Sequence, residues 1–318
     1  MTCDWCPRKC TQQFPACFQP YPGSTEKKNP GNIHDLHLFA QRINPKYYDG
    51  IELDYAHRLA ANKIITCNWL WSRTRPSGFR FGGNYSLRLY DDFLQTPTIM
   101  ADINPTTLAS NVSIVFFPHH ALRLEAAMQR AAEDLPLETQ TTIELMRPST
   151  TLTWNLYNAH SQRGRSTVSL MRSITNSWAL GGELLLEWTD PRSLITEAAL
   201  AARYSKHNYQ VAASASRRGL DISYWQRIHQ RIQMATMVAW NRKTQKTIAS
   251  ISYQWDFEDS VVRSMVNSDL SVGFQYYRSL PHIPCGMGLS ALISLLNNRL
   301  AFGLKFVLDP SGQRRGDE

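Results

Sequence analysis

Thr247–Phe257 reads TIASISYQWDF, and from Ala249 onward its character changes at every residue. Ala249, Ile251, Tyr253, Trp255 and Phe257 are apolar, while Ser250, Ser252, Gln254 and Asp256 stand between them. A strand sends successive side chains to opposite faces, so this segment reads as a strand with one oily and one wet face. Where the oily face points decides the fold, because most of the chain is written the same way.

Working outward, GIELDYAHRL from Gly50 sets Ile51, Leu53 and Tyr55 against Glu52 and Asp54. FRFGGNYSLRLY from Phe79 opposes Phe79, Phe81, Tyr85, Leu87 and Leu89 to Arg80, Asn84, Ser86 and Arg88. LRLEAAMQ, TLTWNLYN, YQVAASAS, LSVGFQYY and GLSALISLL repeat the scheme further along. Turn-forming breaks such as HSQRG, TDPRS, SKHN, SRRG and NRKTQ separate the runs. The count is roughly nineteen strands from residue 50 to 308, about 14 residues per strand plus turn. No helical period interrupts them, so the pairing is expected to be mostly antiparallel.

The 318 residues are 43% hydrophobic and 19% charged, with a formal net charge of +8. That hydrophobic share excludes disorder by composition, and the charged share is low for a soluble surface of this size. Basic charge alone suits nucleic acid, anionic lipid or acidic partners equally. No run approaches the roughly 20 apolar residues of a membrane-spanning helix, and MTCDWCPRKC lacks the apolar core of a secretory signal. A helical membrane protein and a secreted protein are therefore not expected.

Two architectures satisfy the alternation. A soluble sandwich or filled barrel turns its apolar face inward; a membrane barrel turns it to lipid and encloses a polar lumen. Nearly twenty hairpin strands without a helix are unusual for one soluble core. The polar face is rich in Ser, Thr, Gly, Asn and Gln. Aromatic residues recur near expected strand ends, at Trp69, Trp71, Tyr90, Trp188, Trp240 and Trp255, where an interfacial belt would hold them. The pattern favours the membrane barrel.

Residues 1–31 read as a flexible leader, with four of the six cysteines and five prolines. NIHDLHLFAQRI then carries Asn32 and Asp35 at capping-box-like spacing and Ile33, Leu36, Ala40 and Ile43 on one face. This predicts a short amphipathic helix within residues 32–49, ended by Pro45. The barrel is expected over residues 50–308, followed by a polar tail over 309–318. Cys3, Cys6, Cys10 and Cys17 fit no common structural-zinc spacing and read as free thiols, so neither metal nor cofactor is expected. No phosphate loop, nucleophile elbow or metalloprotease motif appears, so the chain is not read as an enzyme.

NPGNIHDLHLFAQRI, YYDGIELDYAHRL, NSWALGGELLLEW and SLPHIPCGMGLSALISLLNNRLAFGLKFVL together resemble the channel subunit of the mitochondrial outer-membrane translocase. That family is related to the voltage-dependent anion channel, and the resemblance runs from about Asn29 to Leu308. It implies an all-β, nineteen-stranded transmembrane barrel closed by parallel first and last strands, with the helix against the inner wall. It also implies passage of unfolded precursor proteins bearing basic targeting helices. The partners implied are those precursors, the receptor and small subunits of the translocase, the lipid bilayer and further copies in a homo-oligomer; nucleic acid is not among them. An anion or metabolite channel is the alternative on the same fold, and a soluble all-β binding protein the third reading.

In this light the inward acids Glu52, Asp54, Glu125, Glu144, Glu183, Glu187, Glu197 and Asp256 are candidates for a presequence track. Inward Arg80, Arg88, Arg123, Arg172, Arg203 and Lys305 are expected to balance them. The family's insertion signal in its last strand matches Ala301, Gly303, Phe306 and Leu308, with Ala301 where a polar residue is usual.

Overall fold

The oily face of Thr247–Phe257 points away from the interior. In the computed structural model Ser252 and Gln254 are 2% and 6% exposed, whereas Ile251 and Trp255 are 56% and 41% exposed. The structure describes residues 29–309 except 61, 73–76, 88–96, 120, 132–135, 160–162, 191–192, 281–283 and 297. The four leader cysteines, Arg88 and Tyr90 therefore lie outside the described residues.

Nineteen strands make one sheet. In order these are β1 (Gly50–Ala60), β2 (Lys63–Trp71), β3 (Gly78–Ser86), β4 (Thr98–Ile103), β5 (Ser110–His119), β6 (Leu122–Arg130) and β7 (Glu138–Arg147). There follow β8 (Thr150–Tyr157), β9 (Gly164–Ser173), β10 (Trp178–Asp190), β11 (Ser193–Lys206), β12 (Tyr209–Ser216) and β13 (Gly219–His229). The last are β14 (Ile232–Asn241), β15 (Lys246–Asp256), β16 (Ser260–Asn267), β17 (Ser271–Leu280), β18 (Cys285–Ser294) and β19 (Arg299–Leu308). Neighbours in sequence pair antiparallel, and β1 closes on β19 in parallel, Gly50 opposite Gly303 and Glu52 opposite Lys305. The parallel seam follows from the odd count. Hairpins reverse direction at each step, so the first and last of nineteen strands run the same way. Closure leaves no unpaired edge, as hydrocarbon requires.

Register partners share a face, so the inward set can be followed round the wall. Ser252 stands opposite Ala235 and Met265, Gln254 opposite Gln233 and Arg263. The outward positions are apolar: Leu300, Phe302, Leu304, Phe306 and Leu308 on β19, or Leu152, Trp154 and Leu156 on β8. A soluble core would hide these residues, and a bilayer is what covers them. Trp69, Trp71, Trp240 and Trp255 are among the exposed outward residues, and Trp188 has the same parity on β10. One expected inward residue is placed otherwise. Arg172, at the end of β9, faces Thr150 and Leu180 on the outer side and is exposed. β9 carries polar residues on both faces, Ser166 as well as Thr167 and Ser169, so parity there was ambiguous from the sequence.

The amphipathic segment lies inside the barrel but not as one helix. A 3-10 turn, Ile33–Asp35, precedes α1, Leu38–Ile43. Asn32 caps the turn, its Oδ1 accepting from His34 N at 3.2 Å. Ile33, Leu36, Ala40 and Ile43 are all buried against the wall. Ile33 and Leu36 pack on Met171, Ala179, Ala201 and Ala212; Ala40 and Ile43 pack on Trp225 and Ala235. Inward alanines on β10, β11, β12 and β14 let the segment approach the sheet closely.

Candidate functional site

The lumen is the site, and residues 29–48 are threaded along its wall. Asn29 sits at the β7–β8 turn, donating to Arg147 O at 2.9 Å and accepting from Thr151 Oγ1 at 2.7 Å. The odd-numbered strands β7 and β19 run the same way, so Asn29 and Leu308 lie at one rim. Next, Arg203 donates to Pro30 O, and His34 Nε2 lies 2.6 Å from Asn155 Nδ2. Gln210 donates to Leu36 O at 3.1 Å. His37 bridges two strands, with Nδ1 2.7 Å from Ser223 Oγ and Nε2 3.3 Å from Ser214 Oγ. Ser252 donates to Asn44 Oδ1, Gln275 accepts from Lys46 N at 2.9 Å, and Ser290 accepts from Tyr48 N at 2.7 Å. Much of the wall's Ser, Thr, Asn and Gln is thus engaged in holding the segment.

Glycines make room for it, Gly181 and Gly303 among them and Gly273 beside Tyr47. A Cβ on Gly181 would meet Ile33 Cδ1 at 2.9 Å and Leu170 O at 2.8 Å, so this inward half of Leu180-Gly181-Gly182-Glu183-Leu184 is shaped by docking. Gly182 faces outward and its Cβ would meet only Ala199 O at 3.7 Å, ordinary contact. A Cβ on Gly303 would run into the Tyr48 carbonyl. Burial also tunes the segment's own titratable groups. It holds His37 below the usual imidazole range, against the opposing pull of Asp221. It raises Asp35, whose carboxyl is drawn back down by His34, Arg123, Arg42 and Arg203. It pushes Tyr47 up to about 12.

All eight candidate acids lie on inward positions, in separate clusters. At the seam, Lys305 Nζ contacts Glu52 at 2.8 Å and also Asp54, while Asn68 donates to both carboxylates. On β6 and β7, Arg123 bridges Glu125 at 2.7 Å and Glu144 at 3.3 Å. On β10 and β11, Glu187 at 3.1 Å and Glu197 at 2.5 Å share Arg218 of the β12–β13 turn. Asp256 accepts from the amides of Gln254 and Gln233. Glu183 differs: it lines a cavity of about 240 Å³ beneath Ile33–His37, and forms no ion pair among the described residues. Six of the eight acids therefore share a cation, two acids to each, so these clusters are triads that each keep one net negative charge.

The sequence reading missed Asp102, paired with Arg80 at 3.2 Å, and the inward Arg227 and Arg263. The parity signal for Asp102 was present, since it alternates with Ala101 and Ile103, whereas β16 around Arg263 mixes apolar and polar residues on both faces. It also missed Arg218, which reaches the lumen from a turn that alternation does not describe. The last-strand residues fall on both faces. Ala301 and Gly303 point inward; Phe306 and Leu308, opposite Leu53 and Tyr55, point outward.

A closed barrel with a lipid-facing coat and an ion-paired aqueous wall is a pore-forming membrane protein, with channel rather than enzyme architecture. The eukaryotic porin profile matches residues 29–303, and the chain belongs to that family. It is similar to the mitochondrial import receptor subunit TOM40 homolog 2 of Drosophila melanogaster, 23% identical over 285 residues, covering 87% of this chain and 83% of that one. It is likewise similar to the human mitochondrial import receptor subunit TOM40B, 23% identical over 297 residues, covering 88% and 92%. Among solved structures, a mutant of Rh. blastica porin aligns with a TM-score of 0.47 at 13% identity, covering 70% of this chain and 95% of that one.

Proposed function

We propose that this barrel is an integral protein of the mitochondrial outer membrane and conducts unfolded precursor polypeptides across it. The observation that carries the reading is likeness over nearly the whole length of proteins named mitochondrial import receptor subunits. The lumen chemistry agrees with it. A basic targeting helix passing the wall meets carboxylates that already share a cation, so each contact is a partial, water-screened exchange. Such stations hold a chain briefly and release it. Glu183 shares no cation and, unlike Asp256, accepts no side-chain amide among the described residues, so it is the strongest station of the eight. Precursors, receptor and small translocase subunits and further copies of this chain are its partners.

Planar-bilayer recording on the purified barrel tests the proposal. Adding a basic amphipathic targeting peptide on one side should give voltage-dependent block, and an acidic peptide of the same length should not. The alternative, an anion or metabolite channel, is favoured by the net charge of +8 and predicts open, peptide-insensitive current. Absence of block at any voltage would leave that alternative standing and remove the first.

A further inference from the structure

Between α1, its link to β1 and the inner faces of β13–β16 lies a second cavity, of about 400 Å³. Arg42 and Lys46 reach it from the docked segment; Arg227 and Arg263 reach it from the wall. Asp256, the acid of β15, is engaged with glutamines. Asp256 accepts from Gln254 Nε2 at 2.7 Å and from Gln233 Nε2 at 3.5 Å. Gln254 Oε1 in turn accepts from Arg263 Nε at 3.0 Å, and Gln233 Oε1 accepts from Trp225 Nε1 at 3.2 Å. The two amides separate the carboxylate from the cations rather than letting it pair with them. Among the described residues, Lys46, Arg227 and Arg263 form no ion pair. Arg227 carries a second sign of an unmet partner: its Nε is buried without a hydrogen bond, while its guanidinium lies 5.8 Å from the Trp225 ring.

At four other places in this lumen cations and acids sit together: Arg80 with Asp102, Arg123 with Glu125 and Glu144, Arg218 with Glu187 and Glu197, Lys305 with Glu52 and Asp54. This cavity instead brings together Lys46, Arg227 and Arg263, which form no ion pair among the described residues, with no carboxylate among the residues that line it. Guanidinium groups present planar, forked donors suited to phosphoryl oxygens. The volume lies in the ordinary range of small-molecule sites. We propose that the cavity binds a small polyanion of the oligophosphate class, its phosphates held by Arg227 and Arg263 on one side and by Lys46, from the link after α1, on the other. Because Lys46 and the two arginines come from different parts of the chain, occupancy ties the segment to the wall. The site thus makes docking of the segment sensitive to the anions present, whichever cargo the pore passes.

The test uses the full chain in detergent micelles at constant ionic strength, titrated calorimetrically with tripolyphosphate, with sulfate at matched strength as the control for unspecific charge. Saturable binding of tripolyphosphate is expected, at least about tenfold tighter than that of sulfate. Arg227→Gln with Arg263→Gln should weaken it at least about tenfold, and Arg172→Gln, on the outer face, should leave it unchanged. Lys46→Gln alters only the link, not a strand, and should weaken binding without disturbing the barrel. Hydrogen exchange over residues 33–46 should slow when the anion is added. No saturable binding, or equal affinity in the Arg227→Gln/Arg263→Gln and Arg172→Gln proteins, overturns the proposal. Since it needs no targeting peptide, its failure leaves the import reading untouched, and a pore without peptide block leaves this site standing.

Discussion

Lys305 of β19 lies across the parallel seam from Glu52 of β1, with Nζ 2.8 Å from the carboxylate, and contacts Asp54 as well. Among the described residues the seam is the one place where strands far apart in sequence pair, so no hairpin turn holds it. Removing the cation would leave two adjacent carboxylates facing each other in the lumen. Lys305→Met should destabilise the barrel by about 1–2 kcal/mol, the groups being partly reached by water. Heat-modifiable mobility on electrophoresis would show it as a lower midpoint, and Glu52→Gln in the same background should restore part of the loss. An unchanged midpoint would mean that the pair does not hold the seam.

Adjacent glycines give opposite expectations. Gly181→Val should displace Ile33 and loosen the docked segment, at a cost of about 1–3 kcal/mol to docking. Gly182→Ala, whose Cβ would meet nothing closer than 3.7 Å, should behave as wild type. Limited proteolysis within residues 33–48 separates the two, with faster cleavage expected in the Gly181 variant alone. Similar cleavage in both would refute the role given to Ile33.

Among the acids, the expected order of effect on targeting-peptide block follows ion pairing. Glu183→Lys should weaken block most, because no cation shares that carboxylate among the described residues. Glu125→Gln should change it less, since Arg123 is shared by Glu125 and Glu144. The block measured against peptide concentration in planar bilayers gives the comparison. If Glu183→Lys is blocked as readily as wild type, Glu183 is not part of the peptide's path.

Docking of α1 should depend on pH through His37. Burial lowers its affinity for a proton below the usual value of 6.5, so the docked state favours the neutral ring. With fewer protons bound in the docked than the undocked state, docking is strongest above about pH 6.5 and weakens as pH falls through the lowered value. Hydrogen exchange over residues 33–43 should accelerate on acidification, and His37→Gln should flatten that response. Asp35 works in the other direction, because burial raises its carboxyl and favours the protonated form. The difference between wild type and His37→Gln isolates the histidine.

For the last strand, Phe306→Ser with Leu308→Ser should leave newly made protein extractable by carbonate, because both side chains face lipid beside Leu53 and Tyr55. Gly303→Ala should act differently. Its Cβ would strike the Tyr48 carbonyl, so the protein should insert but dock its segment poorly. Normal insertion of the double serine variant would remove Phe306 and Leu308 from the insertion signal.

Much of the architecture was legible before any coordinates. Side-chain direction flips at each residue of a strand, and hydrocarbon rejects polar groups, so Ile251 and Ser252 had to part to opposite sides of the wall. Parity misled only where both faces of a strand are polar, as at Arg172. The segment's apolar face was also readable, because Ile33, Leu36, Ala40 and Ile43 recur at helical spacing. Its break into a 3-10 turn and α1 was not readable. His37 stands at the junction, and its ring reaches Ser214 and Ser223, residues remote in sequence.

Alternation along the chain determined the strands and the side each residue takes, since that information is local and repeats every two residues. Tertiary closure alone decided which residues meet across the lumen. The shear of the parallel seam puts Lys305 beside Glu52, and the route of the segment makes Gly181 indispensable beside a tolerant Gly182. It also decided which acids share a cation and left Arg227 and Arg263 facing Arg42 and Lys46. Such meetings depend on the relative displacement of strands and on a path through the interior. A pattern of period two carries the face of each residue, but not its height on the wall.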